Sequence, residues 1–288
     1  MIDAIELQVL TGARRAACEE MGAVLIGAAH SANIKERRDA STALFNANGE
    51  MTMQAEHIPV HLGAMPAAVA AVLAQEHRPG VSWLLNDPFA GGTHLPDITV
   101  ITPVFAGDVL IGFAASRAHH ADVGGRVPGS MPAGSGTLAE EGVVISPRPV
   151  SEAAIAELVA QMRQPAERRA DLRAQLAANA VGPLRLGELA AHVGPRRLSE
   201  ATDAVLDYAE RRTRSCIAAL PDGIREAEDV LEAIDGDLVL RLRASVAGER
   251  LILDFAGSAR RDRGNLNCPL AVTRSACYFA VRVLTDPE

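Results

Sequence analysis

The sequence predicts an α+β fold: mixed and antiparallel sheets built from hairpins, with a helical segment set among them. Three observations carry this. Two pairs of β-type runs surround tight turn signals, within residues 42–55 and 98–117. Residues 151–220 then switch to Ala, Leu, Arg and Glu at helical spacing, and strand signals return at 237–245 and 249–256. Strands, then helices, then strands again is the order of segregated α+β layers, not of an alternating parallel sheet.

Taken in order, residues 4–30 read as one long helix. Leu7, Leu10, Ala17, Met21, Leu25 and Ala28 fall at three- and four-residue steps and make one apolar stripe. Asp3 followed by Glu6 resembles a capping box. SANIKERRD (31–39) breaks that pattern, and within it NIKERRD (33–39) reads as a salt-bridged helix end. In residues 42–55, Asn46-Ala-Asn48-Gly49 supplies the hairpin turn. EHIPVHLGAMP (56–66) is a loop, residues 67–77 a helix, and SWLLN (82–86) a short strand. Residues 98–105 and 109–117 flank Ala106-Gly107-Asp108 as a second hairpin, followed by a long glycine-rich loop over 124–136. Residues 151–220 hold two or three helices with a break near Val181-Gly182-Pro183, and residues 273–284 are helical. The expected organisation is a metal-site region over 1–150, a helical region over 151–220, and the start of a further α+β region over 221–288, cut short.

Composition bounds the function. Of 288 residues, 48% are apolar and 22% charged, as in ordinary globular proteins; only 3% are aromatic, so the core rests on aliphatic side chains. Net charge is −8, with Lys35 the sole lysine and no basic run, which weighs against nucleic acid as a partner. The start carries acids and no positive leader. The longest apolar run, residues 64–74, is too short for a bilayer and contains Pro66. The expected compartment is the cytoplasm. Cys18, Cys216, Cys268 and Cys277 form no CxxC pair, which argues against a zinc ribbon or disulfide framework.

Chemistry concentrates in residues 86–125, which run NDPFAGGTHLPD, two strands, then SRAHHADVGG. His94 and Asp97 lie three apart on a loop, and the hairpin that follows returns the chain to His119. If 98–105 and 109–117 pair, all three sit at the same end. Two imidazoles and a carboxylate with positions left open suit a divalent zinc, manganese or iron ion. A histidine beside a strand is also an ordinary core group, and convergence is what separates the two readings. Adjacent residues of an extended segment point opposite ways, so His120 is expected in proton transfer and not beside His119 as a ligand, with Asp122 a second catalytic candidate. Asp87 before Pro88 reads as a turn-former. His57 and His61 are candidates for lining the substrate pocket, as are Gly129, Ser130 and Gly134 of PGSMPAGSG (128–136), whose backbone N–H groups could face an anion.

GGTHLPDITVITPVF, SRAHHADVGG, PGSMP, EEGVVI, DLRAQLAAN and RGNLNCPLAVTRSA, with NIKERRDAS and QAEHIPVHLGAMP before them, resemble the hydantoinase B / 5-oxoprolinase family in family order. The resemblance covers the N-terminal half of such members. It implies a fragment of a larger hydantoinase B-type fold, acting as the metal-dependent subunit of an ATP-dependent cyclic-amide hydrolase. An actin-like hydantoinase A-type ATPase would use the ATP, phosphorylate the substrate and complete a hetero-oligomer. A His-x-x-Asp pair and a later His bind the metal in carboxylase relatives, and these positions fall on His94, Asp97 and His119. The alternatives are a subunit of an ATP-dependent ketone carboxylase and a non-catalytic, truncated scaffold for the A-type partner.

Overall fold

The computed structural model describes residues 2–56, 58–233 and 236–286. The chain opens with helix α1 (Ala4–Ala28) and a short α2 (Ala32–Lys35), then strands β1 (Ala40–Asn46) and β2 (Met51–Glu56). A 3-10 turn (Pro59–His61), α3 (Ala64–Leu73), β3 (Trp83–Leu85), β4 (Asp97–Ala106) and β5 (Val109–His119) follow. Next come α4 (Leu138–Glu141), β6 (Arg148–Pro149) and the helices α5 (Glu152–Val159), α6 (Pro165–Val193) and α7 (Pro195–Ala218). Strands β7 (Gly223–Leu231), β8 (Leu238–Ala247) and β9 (Arg250–Asp254) lead to α8 (Leu270–Thr285). The fold is α+β, with antiparallel pairing throughout both sheets.

Six strands form the first sheet in the order β2-β1-β5-β4-β3-β6. Period-two alternation sends Ala43, Phe45, Phe113 and Ala115 to one face, where they pack with Met65 and Val69 of α3. Leu44 and Ala114 point to the other face, against Cys18 and Met21 of α1 and Leu186 of α6. Each large side chain buried this way contributes about 1.5–3 kcal/mol. Helix α1 has its expected cap, with Asp3 accepting the Glu6 N–H at 2.9 Å. Its buried stripe includes Arg14, whose guanidinium donates to Leu198 O and Thr202 Oγ1 of α7, and whose pKa burial pulls down to about 10.

Helix α6 runs straight through Val181-Gly182-Pro183, where the sequence suggests a break. The reason is tertiary. Gln175, Asn179 and Gly182 share one face, and that face lies on β4 and β5. Gln175 Nε2 donates to Ile98 O (3.0 Å) and Ser116 O (3.3 Å). Asn179 Nδ2 donates to Val100 O (2.9 Å) and Ala114 O (3.2 Å). At Gly182 a Cβ would fall 2.3 Å from the Ala114 Cβ, so the glycine permits close approach and does not end the helix. The break comes instead at Gly194 (φ 86°) before Pro195.

The second sheet, β7-β8-β9, includes a strand that the sequence reading missed, because GIREAEDVL carries charges at spacings a helix also tolerates. Its counterpart strands β8 and β9 and helix α8 stand close to where they were expected. The segment 33–39 is also not a salt-bridged helix end: α2 closes at Lys35 and the chain turns to deliver Asp39 beside β5. Among the described residues no helix is long and apolar enough to cross a membrane.

Candidate metal centre

The β4–β5 ladder decides the geometry. Its register pairs Asp97, the first residue of β4, with His119, the last of β5. His94 is set one turn earlier by the Asp97 N–H donating to His94 O (3.0 Å). Asn86 fixes this loop from behind: its Nδ2 donates to Leu95 O (2.7 Å) and Val143 O (2.9 Å), and its Oδ1 accepts from Ile145 N–H (2.6 Å). Gly92 must be glycine, since a Cβ would sit 2.2 Å from Asn86 O. Asp87 is the turn-former expected of it, accepting the Phe89 N–H at 2.9 Å.

His94, Asp97 and His119 therefore converge, each offering a ligand atom within 4.8 Å of the others. His94 Nδ1 is 3.1 Å from Asp97 Oδ2, His119 Nδ1 is 3.5 Å from Asp97 Oδ1, and the two imidazole rings are 4.8 Å apart. The structure adds Asp39, whose Oδ2 is 3.7 Å from His119 Nδ1. Asp39 escaped the sequence reading because only the β1–β5 pairing, beginning at Ala40 and Ala118, brings it there. Asp39, His61 and Asp97 form a second such group, sharing Asp97 with the first.

The electrostatics suit a cation. Asp97 is almost completely buried. Burial opposes its charge, yet the imidazoles of His94, His119 and His61 hold its carboxyl well below the usual range. Burial also works against charge on His94, but Asp97 outweighs it and raises the pKa. Desolvation, then the Asp97 charge, pushes Asp39 up. Arg117 lies alongside, fully buried, donating to Thr99 Oγ1 and Gly91 O (both 2.7 Å), with burial lowering its pKa to about 10. Asp97 Oδ1 is buried without a hydrogen-bond partner, as expected of a donor atom whose partner is an ion. Imidazole nitrogen with carboxylate oxygen is also the donor chemistry that zinc, manganese and iron accept.

Other predicted site residues lie elsewhere. His120 points away from the trio: its Nε2 meets Gln175 Oε1 at 2.9 Å, it has no exposed surface, and burial drops its pKa to about 4. The alternation that separates it from His119 thus holds, but it sends His120 into the interface with α6. Asp122 organises the glycine loop, accepting from the Gly124 and Gly129 N–H groups (2.7 and 2.8 Å), Ser130 Oγ and Arg163. The Gly129 N–H is therefore committed to Asp122. Ser130 is buried and accepts the Val123 and Gly125 N–H groups. His61 is fully buried. His57 lies outside the described residues.

A cleft of about 510 Å³ opens over His94, lined among others by Phe89, Thr93, Leu138, Arg261 and Cys268. From the glycine loop Ser135 and Gly136 reach it; Gly129, Ser130 and Gly134 do not. Gly134 instead donates its N–H to Asn265 Oδ1 (3.4 Å), and Asn265 Nδ2 donates to Pro132 O (2.6 Å), so this loop and residues 261–269 form joined walls. Arg261 is a cleft residue that sequence reasoning passed over; it adjoins the RGNLNCP motif, the one signal that could have found it.

The family profile of hydantoinase B/oxoprolinase matches residues 3–288. The chain is 35% identical over 312 residues to the 5-oxoprolinase of Saccharomyces cerevisiae, covering 100% of this chain and 24% of that one. The crystal structure of an ATP-dependent caprolactamase from Pseudomonas jessenii superposes with a TM-score of 0.92 at 27% identity, covering 98% of this chain and 51% of that one. An acetone carboxylase structure shares the fold, with a TM-score of 0.93 at 19% identity over 99% of this chain and 41% of that one. This chain spans between about a quarter and about a half of the length of the curated relatives it matches.

Proposed function

We propose, from the fact that this chain belongs to the hydantoinase B/oxoprolinase family, that it is the metal-dependent subunit of an ATP-dependent cyclic-amide hydrolase. Its substrate would be an intermediate phosphorylated by a hydantoinase A-type ATPase partner. The observation that carries the reading is the convergence of His94, Asp97 and His119, joined by Asp39, beneath a cleft. The family supports the substrate class, since relatives include 5-oxoprolinases and an ATP-dependent caprolactamase.

An amide resists water because resonance lowers the electrophilicity of its carbonyl carbon. Transfer of the γ-phosphoryl group of ATP to that oxygen, with loss of the N–H proton, gives an imidate phosphate. Water adds to its carbon, the ring C–N bond breaks with nitrogen leaving as the amine, and a second water hydrolyses the resulting acyl phosphate to carboxylate and phosphate. His94, Asp97 and His119 would hold the ion, with Asp39 as a fourth donor. When bound, such an ion supplies Lewis acidity toward a substrate oxygen. His94, 36% exposed, faces the cleft, whereas Asp97 and His119 stand deeper. Phe89, Pro88 and Leu138 give the cleft an apolar wall for the ring, and Thr93 orients Asp97 by donating to its Oδ2. Asn86 and Arg117 keep the loop that bears His94 in place.

The test is reconstitution with an A-type partner, ATP, and 5-oxoproline, hydantoin and caprolactam as probes, following ring opening and metal content together. Replacing outer-sphere groups at metal sites already costs about 10–100-fold, so His94→Ala and His119→Ala should each cost more than about 100-fold in turnover and strip the metal. ATP-dependent ring opening that survives both substitutions would contradict the reading.

A further inference from the structure

Behind the trio lies a histidine to which the chemistry above gives no role. His61 closes the 3-10 turn Pro59–His61 and has no exposed surface. It does not line the cleft. Its Nδ1 is 2.9 Å from Ser41 Oγ, and its Nε2 is 3.6 Å from Asp97 Oδ2, just beyond hydrogen-bond length. An ionised carboxylate only accepts, so a neutral imidazole facing it presents N–H from Nε2. Nδ1 is then the acceptor, and Ser41 Oγ–H is its donor.

The two oxygens of Asp97 are treated differently. Oδ2 receives the Thr93 hydroxyl and faces both His94 Nδ1 and His61 Nε2. Oδ1 faces His119 Nδ1 and has no hydrogen-bond partner. His61 is absent from the group that closes within 4.8 Å around His94, Asp97 and His119, and closes instead with Asp39 and Asp97, so the test must separate a positioning role from a ligand role. Its turn is clamped from a distant part of the chain. Ser275 of α8 donates to Val60 O (2.6 Å) and accepts the Gly63 N–H (2.8 Å). At Gly63 a Cβ would lie 2.6 Å from the Ser275 backbone nitrogen, so the contact is close-fitting.

We propose that His61 is a positioning residue for the metal centre: Nε2–H steadies Asp97 Oδ2, leaving Oδ1 free to face a divalent cation. Ser41 sets its tautomer, and α8, through Ser275, sets its place. Outer partners of this kind fix ligand orientation and raise metal affinity. The proposal rests on the assignment of His94, Asp97 and His119 as ligands.

The experiment measures Zn²⁺ affinity by chelator competition, and the Co²⁺ absorption spectrum, on the full chain. Variants are His61→Leu, His61→Gln and Ser41→Ala, each checked for folding by thermal melting without metal. His61→Leu should weaken Zn²⁺ binding by about 10–100-fold and shift the Co²⁺ bands. His61→Gln, whose side-chain N–H can stand where Nε2–H stood, should restore most of the affinity. Ser41→Ala should fall between them, and it carries the test if His61→Leu does not fold. Unchanged affinity in His61→Leu or in Ser41→Ala overturns the proposal. So does a folded His61→Gln as weak as His61→Leu, because the imidazole would then be a ligand. Wild-type binding that survives His94→Ala and His119→Ala overturns the ligand assignment itself, a result separate from the other two.

Discussion

The two sheets of this molecule differ in what covers them. The six-stranded sheet is sealed on one face by α3 and on the other by α1 and α6, and every residue of β1 is buried. In the three-stranded sheet every residue of β7 is exposed, and Leu240 and Ile252 are about half exposed. The candidate metal ligands come from the sealed sheet and its immediate flanks. The second region reaches the site through a few contacts, chiefly Asn265 on the glycine loop and Ser275 on the His61 turn. A ladder fixed by burial on both sides can hold charged groups a few ångströms apart. The partly covered sheet furnishes only a wall, and among the described residues the one brace this region gives the centre is that of α8 on the His61 turn.

This contrast can be broken first at the metal. Asp97→Ala should lower Zn²⁺ affinity by more than about 100-fold, judged against the 10–100-fold cost of outer-sphere changes; calorimetric titration reads it. Asn265→Ala, in the second region, should leave that affinity unchanged and alter only the cleft. Equal losses would show that both regions hold the centre.

The next effect is on stability against pH. In the metal-free chain His120 has a folded pKa of about 4 against an ordinary 6.5. The unfolded chain takes up this proton first, so the contribution is favourable above about 6.5, is lost as pH falls, and levels off below about 4. The loss is on the order of 3 kcal/mol. Urea denaturation of wild type and His120→Phe at pH 7.5 and 4.5 should show a shallower decline in the variant. Parallel declines would place His120 in contact with water.

Packing differences should be smaller. Gly182→Val would push a side chain into Ala114 and cost about 1–3 kcal/mol by thermal melting. Ile252→Ala, on the exposed sheet, should stay within about 0.5 kcal/mol. A large loss at Ile252 would mean that this face is covered in solution.

Much of the centre was legible because its parts are local. Residues 97–119 form one hairpin, so alternation and a turn signal suffice to bring His94, Asp97 and His119 together, and the same alternation separates His119 from His120. Asp39 was illegible because its place depends on β1 pairing with β5, and strand order is not written in local pattern. His61 was a candidate for lining the pocket, with plain packing the alternative, and the sequence could not choose between them because the clamp on its turn comes from Ser275, far along the chain. At Gly182-Pro183 local breaking propensity lost to the Gln175 and Asn179 bonds that hold α6 to the sheet.

X-ray absorption spectroscopy on the full chain, purified without chelator, tests the central claim most directly. One divalent ion per chain, with two imidazole nitrogens and carboxylate oxygen among its ligands, and its loss in His119→Ala, is the predicted result. A chain that takes up no ion, or one whose bound ion shows no imidazole scattering, would contradict it.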